Sequence, residues 1–434
     1  MAKRRMPDRN TTLDVETLER RSMAAIVLAS LQYDVLTIVC DGANDNVMVT
    51  ETVPVVVRPP VNAATARAAA VPVKTGTVTV RDMQTMKTTV FNRASIHKIS
   101  IDGSFGDDSI NVWSTLPTNV NGGPGNDWIV TGDGDDFVTG GEGNDRIMTN
   151  GGDDTVYGEY VQAFPAQPGG TYNDFISGGT GNDRLFGCLG ADTIMGGTGN
   201  DTIAGGDADS TGNILYGNDG DDTITSTNRN DVVDGVAGYD VANVLAGVYV
   251  LRNCENVTIA VPDDQPQTDD WSCGPNSASR LLRAYGISMS YADMRSLATE
   301  NGLLSRCHLG TTPSTLVSIL NLFKPTGINE ESSFGQVTQV LSQGRPVIAL
   351  VGIDVVDIYL GTVPLMHYVV LNGYDAATQT VQYIDTNGAH GSWRMAQFDF
   401  NWKWFDYFSG LGATYQLALY NLGLRKRTFI ALIG

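Results

Sequence analysis

The 434-residue sequence is short of positive charge and of long apolar runs. Its 28 lysines and arginines face 48 aspartates and glutamates, a formal net charge of −20. The deficit is local. Between Gly103 and Asn243 there are 23 acidic side chains against three basic ones, Arg146, Arg184 and Arg229, so this stretch carries the whole imbalance. An acidic strip repels nucleic-acid phosphates, which argues against nucleic acid as a partner. It suits hard cations with oxygen ligands. No apolar run reaches the roughly 18 residues that a membrane helix needs, so no transmembrane segment is expected; the best run, Ala24 to Leu31, is short. The cysteines are five, Cys40, Cys188, Cys254, Cys273 and Cys307. That number is odd and sparse, which excludes a full disulfide framework and leaves at least one free thiol.

What the chain has in excess is glycine, 49 residues, and much of it is periodic. Residues 122–130 read GGPGNDWIV, 131–139 TGDGDDFVT, 140–148 GGEGNDRIM and 149–157 TNGGDDTVY. After an insertion the register resumes at 169–177, 178–186, 187–195 and 196–204. A second insertion spans 205–216, and three more copies follow at 217–225, 226–234 and 235–243. An earlier copy begins at Gly103, and Cys40 to Met48 is a decayed one. A fixed period over so many copies marks a solenoid. Glycines at positions one, two and four are expected to permit a positive-φ turn. Position eight (Ile129, Val138, Ile147, Val156, Ile176, Leu185, Ile194, Ile203, Ile224, Val233) is apolar and expected to point inward from a three-residue strand. Position six places a carboxylate at Asp127, Asp136, Asp145, Asp154, Asp174, Asp183, Asp192, Asp201, Asp222 and Asp231. These are the candidate calcium ligands. Two copies make one turn, and the thin aliphatic core is too small to offset repulsion between carboxylate rows, so calcium binding becomes folding energy. The copies without Gly at position four, 169–177 and 226–234, are expected to be weak sites.

These nonapeptides resemble the RTX repeat family, which implies a parallel β-roll folded by Ca2+. The flanking text differs. Residues 1–25 read as an N-terminal leader or sorting segment, in which Leu18 to Ala25 is similar to an N-terminal segment of exported bacterial proteins. Residues 26–101 are β-rich, 102–260 form the roll, and 264–434 form a separate α+β domain. Leader and repeats together point to an extracellular protein, secreted or on the cell surface.

In the last domain Gln267 precedes Cys273 by six residues in QTDDWSCGP. Pro275 suits a first helical turn and Gly286 a helix stop. A cysteine at a helix N-terminus sits at the positive end of the dipole, which favours the thiolate. His367 heads an apolar strand and can act as a general base. Asp385 ends the next strand; if the two strands are antiparallel neighbours, it can orient the imidazole, with Asn387 as the substitute. Cys307 and His308 adjoin without a third ligand, so they are not read as a metal site. Trp393, Trp402 and Trp404 read as packing residues.

The order Gln, Cys, His, Asp, with the segments around His367 (HYVVLNGYD) and Asp385 (YIDTNG), resembles the papain-like double-glycine-peptidase-like family. The resemblance implies a cysteine peptidase acting on a peptide or protein substrate. Gln267 would serve the oxyanion, Cys273 would be the nucleophile, His367 the base and Asp385 the orienter. The fold expected is therefore an all-β parallel β-roll followed by an α+β papain-like domain. Two alternatives stay open: a non-enzymatic calcium-binding surface or matrix protein with an inert peptidase-like module, and a transferase using the same thioester chemistry.

Overall fold

The computed structural model describes residues 28–52, 76–159, 171–206, 212–265, 273–300, 313–324, 326–329, 334–358, 361–386, 388–394 and 429–432. The leader, Gln267, Asn387, Cys307, His308, Trp402 and Trp404 lie outside them.

The repeat block is a parallel β-solenoid of two facing sheets. Short strands stack at intervals of 18 residues: Arg146–Met148 lies on Trp128–Val130, and Thr202–Ala204 on Arg184–Phe186. Two nonapeptides therefore make one turn, because each short strand leaves a glycine-rich turn to carry the chain across to the other sheet. All ten position-eight side chains named above are fully buried. Each contributes about 1.5–3 kcal/mol of apolar burial.

The glycines at positions one and two have different reasons. Positions two and four hold the positive φ, as at Gly123, Gly125, Gly197 and Gly199. Position one does not, contrary to the expectation above. A Cβ there would lie 2.2 Å from Asp201 Oδ2 at Gly196 and 2.3 Å from Asp127 Oδ2 at Gly122. Position one is glycine because the carboxylate lies against it.

A Cβ on Gly158 would lie 2.3 Å from Asp174 Oδ2, so Gly158, at the start of the first insertion, stands to this carboxylate as a position-one glycine does. Residues 205–216 hide a further copy: Leu215 is fully buried in register with Ile194, and Asn213 fills position six. The decayed copy at Cys40 belongs to the same stack. Val35–Val39 pairs in parallel with Lys98–Asp102, and Asn46–Thr52 with Ser109–Trp113, burying Val47.

The C-terminal region has helices over an antiparallel sheet. The cysteine helix is Cys273–Ala284. It stops in a Schellman arrangement, with Ile287 N donating to Leu282 O at 3.0 Å, Gly286 N to Arg283 O at 2.8 Å, and Gly286 at φ +77°. The histidine strand, Gly361–Asp375, lies between Val347–Ile358 and the aspartate strand Thr380–Asp385. His390–Arg394 flanks the aspartate strand, and Phe429–Leu432 flanks Val347–Ile358. The roll ends in the closing strand Asn256–Ala260, which pairs antiparallel with the histidine strand. Among the described residues no helix is long and apolar enough to cross a membrane.

Candidate functional site

The position-six carboxylates form two ladders. On one, Asp127 N donates to Asp145 Oδ1, Asp145 N to Asp174 Oδ1, and Asp174 N to Asp192 Oδ1, at 2.7 to 2.8 Å. Asn213 and Asp231 continue it. On the other, Asp136, Asp154, Asp183, Asp201, Asp222 and Asp240 follow one another in the same way. One oxygen of each group is thus fixed by a backbone N–H.

The other oxygen is the informative one. Oδ2 of Asp127, Asp136, Asp145, Asp154, Asp174, Asp183, Asp201 and Asp222 is buried and has no hydrogen-bond partner among the described residues. A buried acceptor left in this way is costly unless something else satisfies it. The point where a Cβ would sit on Gly122 lies 2.3 Å from Asp127 Oδ2 and 2.4 Å from Gly140 O. The same pairing recurs at Gly196, with Asp201 Oδ2 at 2.2 Å and Gly217 O at 2.6 Å. A carboxylate and a carbonyl oxygen thus approach one another beside each of these glycines, and hard oxygen donors of this kind suit a cation such as Ca2+. No cluster of three or more His, Cys, Asp or Glu side chains able to hold a metal occurs among the described residues, so backbone carbonyls must complete such sites. Burial, followed by neighbouring charges, pushes Asp145 and Asp154 up to about 8; burial, with the charge of Asp192 behind it, outweighs a backbone hydrogen bond to push Asp174 to about 8. A bound cation would favour the charged form of these groups.

Asp231 is different. Its Oδ2 accepts from Ser226 Oγ at 2.7 Å and Asn228 N at 3.3 Å, so this copy, with Arg229 at position four, satisfies its own carboxylate. The other copy without Gly at that position has Tyr172 there and leaves Asp174 Oδ2 without a described partner. Asp108 and Asp240 also sit in the ladders with an orphaned Oδ2. Both occupy position six of copies legible in the sequence, although neither was among the ten candidate ligands.

The second centre joins helix and sheet. Cys273 is the first residue of its helix and is 8% exposed. The histidine and aspartate strands are antiparallel neighbours with Val369 opposite Asp385. His367 Nε2 lies 2.8 Å from Asp385 Oδ1. Cys273 lies near enough to the ring to act on its protonation together with Asp385. Burial would depress the His367 pKa, but Asp385 and Cys273 together outweigh it and lift the value to about 9. Imidazolium beside Cys273 is thereby favoured.

Thr386, which the sequence did not single out, braces this pair. Its Oγ1 lies 3.2 Å from both His367 Nε2 and Asp385 Oδ1, and the residue is 2% exposed. Arg280, fully buried two turns along the cysteine helix, donates from Nε to Asn276 Oδ1 at 2.9 Å and is attracted to Asp263 and Asp385. Among the described residues, the thiols of Cys254 and Cys188 are unsuited to nucleophilic work. Burial first, then nearby carboxylates, pushes Cys254 up to about 12. Burial together with the charge of Glu159 pushes Cys188 up to about 11.

The comparisons with known proteins agree with both halves. Residues 259–409 match the Peptidase_C39 like family. Four matches to the RTX calcium-binding nonapeptide repeat cover 121–158, 168–203, 189–209 and 207–242. The chain therefore joins an RTX repeat solenoid to a Peptidase_C39-like region of helices and strands. Among solved structures it is similar to a candidate C39-like peptidase from Bacillus anthracis, at 16% identity and a TM-score of 0.28, over 40% of this chain and 97% of that one. Among curated proteins, none matches the chain.

Proposed function

We propose that this protein is a calcium-folded, extracellular cysteine peptidase of the papain-like double-glycine type. The observation that carries the reading is the meeting of Cys273, His367 and Asp385, from a helix start and two strands, in the order nucleophile, base and orienter. Calcium would be held by the outer oxygens of the position-six aspartates with carbonyls of the turns, and would supply the charge neutralisation that lets the acidic roll fold.

In the proposed reaction the Cys273 thiolate attacks the scissile carbonyl carbon. The carbonyl oxygen becomes an oxyanion, for which the Gln267 amide is the side-chain donor. His367 then gives its proton to the departing amine, leaving a thioester on Cys273. The neutral imidazole next takes a proton from water, whose oxygen attacks the thioester and releases the carboxylate and the thiol. Asp385 and Thr386 hold the ring in place throughout.

The test is hydrolysis of a mixed peptide library, with cut sites read by mass spectrometry, by full-length protein in millimolar calcium. Wild type should generate new termini, whereas Cys273→Ala and His367→Ala should not. Identical fragments from wild type and Cys273→Ala would refute the reading.

A further inference from the structure

We infer that the last turn of the roll is the template for the histidine strand, so that calcium at this end of the roll sets the alignment of Cys273 with His367. The inference rests on the peptidase reading and adds the route by which the roll governs the site.

The carboxylate ladder does not stop inside the roll. Asp222 N donates to Asp240 Oδ1 at 2.9 Å, and Asp240 N to Glu255 Oε2 at 2.9 Å. Glu255 is thus the terminal rung. Glu255 N and Asn256 N both return to Asp240 O at 3.0 Å, clamping the start of the closing strand to the last carboxylate turn. From that point the chain pairs with the histidine strand. Ala376 N donates to Glu255 O at 2.8 Å, and Asn256, Val257 and Thr258 lie opposite Asp375, Tyr374 and Gly373. Val347–Ile358 pairs with the histidine strand only as far as Leu371, so the closing strand takes over its edge where that partner ends. Gly373 allows the approach, since a Cβ there would lie 2.7 Å from Val257 O. Tyr239, beside Asp240, donates its hydroxyl to Asp375 Oδ1 at 2.5 Å.

The same end of the roll grips the helix that carries the nucleophile. Arg229 Nη2 donates to Ala284 O at 2.6 Å at the helix C-terminus. Gly247 lies against the Tyr285 ring, where a Cβ would be 2.7 Å from Cε1, and Gly247 N donates to Gly344 O at 2.9 Å. Helix and strand therefore meet one ordered surface, and that surface ends in the Asp240–Glu255 rung. Neighbouring turns of a solenoid couple more strongly than distant ones, so the ions nearest Asp240 govern the docking. A ligand that orders this turn shifts the equilibrium of whatever is paired to it.

The experiment uses the full chain and three readouts across a calcium titration: hydrogen exchange of residues 369–375, labelling of Cys273 by a thiol-directed probe, and circular dichroism of the roll. Calcium should slow exchange at 369–375 by tenfold or more and raise the labelling rate with the same midpoint. Asp240→Asn should move both midpoints to several-fold higher calcium, while Asp127→Asn, far along the roll, should move them much less. Tyr239→Phe should speed exchange at 369–375 without changing the calcium response of the dichroism. Exchange at 369–375 that is equal in chelator and in calcium, while the dichroism shows the roll folding, would overturn the inference. Equal shifts from Asp127→Asn and Asp240→Asn would also overturn it, by assigning the effect to the roll as a whole. Failure of the peptidase reading looks different: calcium-dependent exchange would persist without hydrolysis.

Discussion

Asp201 offers a substitution that separates the ladder from the calcium site. Its Oδ1 accepts Asp183 N at 2.8 Å, while its Oδ2 is buried with no described partner. Asp201→Asn keeps an oxygen for the first job and replaces the second oxygen with an amide that cannot ligate. The roll already contains this exchange, since Asn213 Oδ1 accepts Asp192 N at 2.8 Å. Asp201→Ala removes both functions and orphans the buried Asp183 N–H, which costs about 1–3 kcal/mol. Charge acts in the opposite direction. Burial, then the neighbouring carboxylates Asp183 and Asp222, outweighs a backbone hydrogen bond to raise Asp201 from 3.8 to about 7. Keeping it ionised at pH 8 without calcium therefore costs up to about 4 kcal/mol, an upper bound because a buried carboxylate row relaxes and hydrates. The assay is urea unfolding of the full chain at a series of free calcium concentrations, followed by circular dichroism. For both variants the dependence of stability on the logarithm of calcium should fall by about one ion. Alanine should lie about 1–3 kcal/mol below asparagine at every calcium level. An unchanged calcium slope would remove Asp201 from the ligands, and coincident asparagine and alanine curves would refute the ladder argument.

Val236 stands at position two with φ +76°, a conformation that a β-branched residue rarely adopts; Val236→Gly should stabilise the calcium-bound chain by about 1 kcal/mol in urea unfolding. His367 should titrate near pH 9 by NMR, and Asp385→Asn should lower that value. Because the folded value lies above the ordinary 6.5, the stability from the charged ring is fully present below about pH 6.5 and is lost as pH rises through about 9. A neutral-pH thiol probe should label wild type but not Cys273→Ala, while Cys188→Ala and Cys254→Ala label normally, since those two thiols are held at about 11 and 12. A synthetic peptide spanning Gly122-Gly123, offered to the calcium-loaded chain, should be cut after the Gly-Gly pair by wild type and left intact by Cys273→Ala, as read by mass spectrometry.

The roll was legible because every copy repeats the same turn, so position eight could be assigned to the core from the period alone. The role of Gly158 was not legible, because the first insertion separates it from the copy read at 169–177 and only packing shows it against Asp174. The copy inside 205–216 was hidden because three extra residues separate its glycines from Asn213, and an asparagine does not announce a carboxylate ladder. The position-one glycines were assigned the wrong cause, since only packed neighbours reveal that Asp201 Oδ2 occupies the space of a Cβ. The neighbouring of His367 and Asp385 was readable from two apolar strands joined by a short turn. Thr386 carries no such signal, because a threonine after a strand is common and only the fold turns its hydroxyl toward His367. The grip of the roll on the histidine strand was not legible either: Tyr239 and Asp375 are 136 positions apart and lie in two unrelated motifs, so no spacing links them.

The central claim is that Cys273 becomes acylated through His367. It is tested most directly by mixing the calcium-loaded full chain with an activated peptidyl ester and reading the intact mass at short times, followed by peptide mapping. The account predicts a single acyl adduct on Cys273 that decays to free thiol, is absent from Cys273→Ala, and forms at least tenfold more slowly in His367→Ala. No adduct on Cys273, or an adduct of equal rate on another residue, would contradict it.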